Sequence, residues 1–148
     1  MPNHHQKNIA TFIHLSTFSR FFMPFGNFIG PIILWIANKD KSEFIDNHGK
    51  QAINFQISIF LYAIILGTLS APFFIFKIFN GFNFIDFNGF LNFNINVGKP
   101  SALLYLGGIL GILAIIGFII ELVCIVVASL KARDGETYNY PLTIQFLK

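Results

Sequence analysis

Apolar positions fall into four blocks along the chain, separated by short polar stretches, and the third and fourth are the longest. Gln51 to Phe76 runs for 26 residues without a charge, and Pro100 to Ile120 for another 21 before Glu121 interrupts a run that continues to Leu130. A bilayer core about 30 Å thick needs roughly 20 helical residues, so each block is long enough to cross with some tilt. Helix is the expected form, because it satisfies each backbone amide within its own segment. The first two blocks, Ile9 to Phe22 and Phe25 to Ala37, are shorter and are split by Pro24-Phe25-Gly26. They form either a hairpin of two short helices or one broken span. Gly30-Pro31 adds a second break, or a proline at a helix start.

The pattern therefore predicts an all-α membrane protein, a polytopic bundle of four helical segments whose first two make a broken or re-entrant hairpin. As a single integral membrane domain over 1–148, its apolar segments are about 9–22, 25–37, 51–79 and 101–130. They are joined by a 38–50 loop and an 80–100 loop, with a 131–148 tail. Positive charge sets the orientation. With the hairpin, Lys7, Lys39, Lys41, Lys50, Lys131, Arg133 and Lys148 share one side, against Lys77 and Lys99 on the other. The positive-inside rule then puts the 38–50 loop and the C-terminus in the cytoplasm and the 80–100 loop outside it. A bacterial inner (plasma) membrane, multi-pass, is the location this implies. Arg20 interrupts the apolar core that a cleaved signal peptide would need.

The connectors carry local signals. Ser42 is placed to cap a helix, with Glu43 and Asp46 in its first turns, and Phe44, Ile45, Ala52 and Phe55 recur at near-helical spacing. An amphipathic lead-in into the third block is one reading; a solvated connector is the other. Asn88-Gly89, between alternating aromatic and polar residues, predicts a small type I′ β-hairpin in the 80–99 loop pairing Phe87 with Phe90, or else an irregular interfacial loop. Beyond the last helix, Leu142, Ile144 and Phe146 alternate with polar residues, as in an extended segment lying along the surface.

Composition narrows the function classes. Charged residues make up 11 % of the chain and hydrophobic ones 54 %, with 20 Phe. A soluble domain usually carries about twice that charge. The net charge of +3 forms no basic stripe, so nucleic acid is not an expected partner. The single Cys124 excludes a disulfide framework. No hydrolase elbow, phosphate-cradling loop or metal-ligand spacing is present. Catalytic, cofactor and metal sites are accordingly all expected to be none, and the protein is expected not to be an enzyme.

Candidate chemistry is confined to polar groups inside apolar blocks. His14, Arg20 and Glu121 each bear a cost of about 2.5 kcal/mol or more at bilayer depth and should face protein or water. Glu121 pairing with Arg20 or His14 is the expectation, as a structural pair or as a proton or ion relay. Asn54 and Gln56 are placed to hydrogen-bond between helices. Gly107 and Gly111 give the last helix a surface for close approach. Trp35, Tyr138 and Tyr140 are expected interfacial anchors. The partners implied are the lipid bilayer and other membrane proteins or further copies of the chain. The function read from this is a non-enzymatic accessory or assembly subunit. The alternative is a small channel or transporter using Glu121, His14 and Arg20.

Three motifs also resemble a known family. They are Ala10 to Lys41, with His14-Leu15-Ser16, Pro24 and Gly30-Pro31-Ile32-Ile33-Leu34-Trp35; Asp46-Asn47-His48-Gly49-Lys50-Gln51-Ala52-Ile53-Asn54-Phe55-Gln56-Ile57-Ser58; and Ala132-Arg133-Asp134-Gly135-Glu136-Thr137-Tyr138-Asn139-Tyr140-Pro141. In this order they resemble the DUF-4870 family of small bacterial membrane proteins, which is similar to the Tic-20-like proteins. That resemblance implies four helices, cytoplasmic termini and a link to protein translocation.

Overall fold

The computed structural model describes residues 1–79, 86–87, 93–94 and 102–148. The fold is mostly helical. Helix α1 spans His4–Leu15 and continues into a 3-10 segment, Ser16–Phe21; α2 spans Gly26–Ile36. A 3-10 turn, Lys39–Lys41, leads to α3, Glu43–Phe79, and the last helix, α4, spans Ala102–Asp134.

Helix starts follow from caps. The Asn3 side chain accepts from the Gln6 backbone N–H at 2.8 Å, and the Gln6 side chain accepts from the Asn3 N–H at 3.0 Å. This reciprocal box starts α1 five residues ahead of the apolar block. Ser42 Oγ accepts from the backbone N–H of Phe44 at 3.1 Å and of Ile45 at 3.4 Å. Helix α3 therefore begins at Glu43, and much of the expected 38–50 loop is helical.

Pro24 and Phe25 reverse the chain between α1 and α2. Phe25 takes φ 60° and ψ 11°, a left-handed conformation that few bulky residues adopt. Helix α2 then returns along the first arm. Gly26 lies against the Ser19 carbonyl and Gly30 against that of Ser16, where an added Cβ would come within 2.4 and 2.6 Å of the respective oxygens. Ser19 Oγ also donates to the Gly26 carbonyl at 2.6 Å. The two short arms thus make a hairpin, and α2 runs unbroken through Pro31.

Two helices, α3 over Glu43–Pro72 and α4 over Gly107–Asp134, are long and apolar enough to cross a membrane. With 12 and 11 residues, α1 and α2 each rise only about 17 Å, too little to cross alone. The expected bundle of four segments is in this respect two long helices and two short ones.

Backbone contacts divide the chain into two units, residues 1–62 with 118–148, and residues 63–117. The first unit holds the core. On α4, Glu121, Cys124, Ile125, Ala128, Ser129 and Ala132 form a buried stripe at helical spacing. Phe55 and Tyr140 pack on Cys124, Ile125 and Ala128, while Ile13, Ile45 and Ala52 make a second cluster against Trp35. In the second unit, none of the described side chains is buried, and Ile64, Leu69, Ile109, Ile112 and Ile116 are all exposed. Helices apolar all round are what lipid-facing segments require.

In the 80–100 segment the described residues are the paired dipeptides Asp86–Phe87 and Phe93–Asn94, antiparallel with Phe87 opposite Phe93. The expected two-residue hairpin is not found, since that register is incompatible with pairing Phe87 to Phe90. The Asn88-Gly89 turn itself lies outside the described residues.

Gly49 sets how closely α3 meets Trp35. A Cβ there would lie 2.1 Å from the indole Cδ1. Gly49→Ala should cost about 1–3 kcal/mol through overpacking and lower the thermal midpoint in detergent; an unchanged midpoint would show that the indole swings clear at no cost.

Candidate functional site

The polar groups buried in the first unit fall into two sets. In one, Arg20 of the 3-10 segment pairs with Glu121 of α4. Glu121 is only 2 % exposed, whereas 29 % of the Arg20 side chain remains accessible. The guanidinium also sits 5.7 Å from the centre of the Phe118 ring, a geometry that favours the cation. This is the pairing expected of opposite charges inside apolar blocks.

The second set has His14 at its centre. The Tyr140 hydroxyl lies 2.9 Å from His14 Nδ1, and His14 Nε2 lies 2.8 Å from His48 Nδ1. All three side chains are buried. The row has two consistent proton arrangements. If Tyr140 donates, His14 Nε2–H donates onward and His48 carries its proton on Nε2. In the reverse order, His48 Nδ1–H donates and its Nε2 is a bare acceptor. Either way His48 Nε2 is buried with no partner among the described residues. Burial first, and then the nearby Tyr138, Cys124 and Glu121, push the Tyr140 hydroxyl well above its ordinary range. It is therefore a neutral phenol at physiological pH. Tyr140, expected as an interfacial anchor, is buried in the protein and stacks on Phe55 with ring centres 4.1 Å apart; closing the hydrogen bond to a buried imidazole draws its ring into the core. Tyr138 is half-buried against the same cluster.

His48 and Tyr140 were not expected as partners of His14. A signal for His48 was present, since it shares a face of α3 with Ile45 and Ala52 at spacings of three and four. Nothing local marked Tyr140. No hydrogen bond joins the histidine row to the Arg20–Glu121 pair among the described residues.

Other polar residues are occupied structurally. Asn27 Nδ2 donates to Gln56 Oε1 at 2.8 Å, and the Trp35 indole N–H donates to Asp46 Oδ1 at 2.8 Å. Lys50 holds the other Asp46 oxygen at 2.6 Å. An open cleft of about 540 Å³ beside them is lined by Trp35, Lys39, Glu43, Asp46, Lys50 and Lys148, among others. Among the described residues Asn54 makes no helix-to-helix hydrogen bond. Its amide binds the backbone of the chain's own C-terminal segment, accepting from Leu147 N–H at 2.8 Å and donating to Leu147 C=O at 2.9 Å. Among the described residues, nothing lies within 4 Å of where a Cβ on Gly111 would stand. No group of three or more metal-ligating side chains is found among the described residues.

Residues 5–147 match the model of the MamF/MmsF family, described as the magnetosome magnetite crystal formation protein family. The chain belongs to that family. This corrects the resemblance to DUF-4870 and Tic-20-like proteins. That resemblance rested on three short motifs, whereas the magnetosome family match takes in nearly every residue. The implied link to translocation falls with it. No curated protein and no solved structure matches the chain. Membership of a magnetosome family, with two apolar helices of crossing length, places the protein in a membrane.

Proposed function

We propose that the chain is a non-enzymatic accessory protein of a magnetosome membrane that supports magnetite crystal formation through contacts with other membrane proteins or with further copies of itself. The family match over residues 5–147 carries this reading. The bare apolar faces of α3 and α4 beyond the core support it, as does the open space at Gly111. In this reading Gly107 and Gly111 allow another helix to approach closely. The cation-rich ends, with Lys39, Lys41, Lys50, Lys131 and Arg133, face the cytoplasm.

The alternative, an ion or proton path through Glu121, His14 and Arg20, has less support. Glu121 is neutralised by Arg20, and the histidine row is not hydrogen-bonded to that pair among the described residues.

Deleting the gene in a magnetite-forming host should alter crystal size or shape as measured by electron microscopy, and the wild-type gene should restore it. Crystals indistinguishable from those of the parent strain would remove the proposal.

A further inference from the structure

Beyond α4 the chain turns at Gly135, with φ 87°, and runs along α3 in two directions. Asn139 is reached by Gln51 Nε2 at 3.0 Å, and Tyr140 stacks on Phe55. At Leu142, whose φ is 58°, the carbonyl accepts from Tyr62 Oη at 2.8 Å. The chain then comes back. Ile144 N–H donates to Ser58 Oγ at 2.9 Å, and Phe146 and Leu147 N–H donate to Asn54 Oδ1 at 3.2 and 2.8 Å. The outermost contact on α3 is thus Tyr62, with Gln51 and Asn54 at the two ends of the excursion.

Asn54, Ser58 and Tyr62 are four residues apart and share one face of α3. Wherever a 20-residue hydrocarbon layer is set within the charge-free stretch Gln51 to Phe76, Ser58 and Tyr62 fall inside it. Tyr62 then lies about 8 to 17 Å past the near boundary. Irregular backbone survives at such depth only where protein groups satisfy its amides and carbonyls. The polar ladder on α3 takes up the Leu142 carbonyl, the Ile144 and Phe146 N–H groups and both backbone groups of Leu147. The Ile144 carbonyl accepts from Phe146 N–H at 3.1 Å, and Pro141 has no N–H to satisfy. Leu142, Ile144 and Phe146 meanwhile turn outward, 81 %, 41 % and 48 % exposed, and Phe60 and Leu61 of α3 are exposed as well.

We infer that residues 139–148 are a re-entrant segment whose Leu142 tip enters the bilayer and whose outward face contacts lipid acyl chains. In this inference the segment dips into the bilayer where a surface-lying tail was expected.

The test uses the full chain in phosphatidylethanolamine–phosphatidylglycerol vesicles. Single-cysteine variants Leu142→Cys, Ile144→Cys and Lys148→Cys are made with Cys124→Ala and treated with a membrane-impermeant maleimide. The thiolate is the reacting species, and charge is disfavoured in hydrocarbon. Leu142→Cys should therefore react roughly tenfold or more slowly than Lys148→Cys. A bimane at position 142 should be quenched by acyl-chain nitroxide lipids and not by aqueous iodide. Adding Asn54→Leu should raise the labelling of position 142 towards that of 148. Wild-type protein gives an independent measure: carboxypeptidase added to the vesicles should stop within the last two residues. Labelling of 142 as fast as 148, or trimming through Tyr140, would overturn the inference. Neither readout depends on any crystal phenotype.

Discussion

Replacing Arg20 with Met should destabilise the protein by about 3 to 5 kcal/mol, the cost typical of stranding one member of a buried ion pair. Glu121 is 2 % exposed and would be left as an uncompensated charge among Cys124, Ile125 and the ring of Phe118. The reverse change is milder. Glu121→Leu leaves the guanidinium with 29 % of its side chain accessible, enough for the long stem to carry the charge towards water. Converting both, Arg20→Met with Glu121→Leu, should recover most of the loss, because two apolar side chains of similar volume need no counter-charge. Reversible unfolding in mixed micelles, followed by circular dichroism, measures all three variants. Losses below about 1 kcal/mol in both single variants would mean that the pair behaves like an exposed one.

His14→Phe is expected to cost about 2 to 6 kcal/mol. Phe fills comparable volume, so the loss comes from two stranded polar groups, the Tyr140 hydroxyl and His48 Nδ1, at about 1–3 kcal/mol each. Tyr140→Phe strands only one group, His14 Nδ1, and should cost about half as much. The same unfolding assay distinguishes the two. Equal losses from both would show that the His14–His48 contact contributes nothing beyond packing.

Much of this was legible in the residues themselves. Gln51 to Phe76 and the run through Ile120 announced α3 and α4, because a charge-free stretch of that length has few other fates. Ser42 announced the start of α3 through its hydroxyl and the acids after it. Arg20 and Glu121 announced each other, since a charge inside an apolar block needs an opposite charge. The reversal at Pro24-Phe25 was one of two readings, and what selects it is the fit of Gly26 and Gly30 against the Ser19 and Ser16 carbonyls. The family resemblance was corrected, because short motifs such as Ala132-Arg133-Asp134-Gly135 carry far less information than a match over residues 5–147.

Hydropathy, charge and capping act over a few residues, and they alone determined the two long apolar helices and the start of the third block. Only the tertiary structure decided which buried polar atom meets which. His14 and Tyr140 are 126 residues apart, and Asn54 and Leu147 are 93 apart, so no local rule links them. Their pairing follows from closing α1, α3 and the C-terminal segment around one small core. Inside it most buried polar side chains take a complementary group, with His48 Nε2 an exception among the described residues, because burial without a partner is costly.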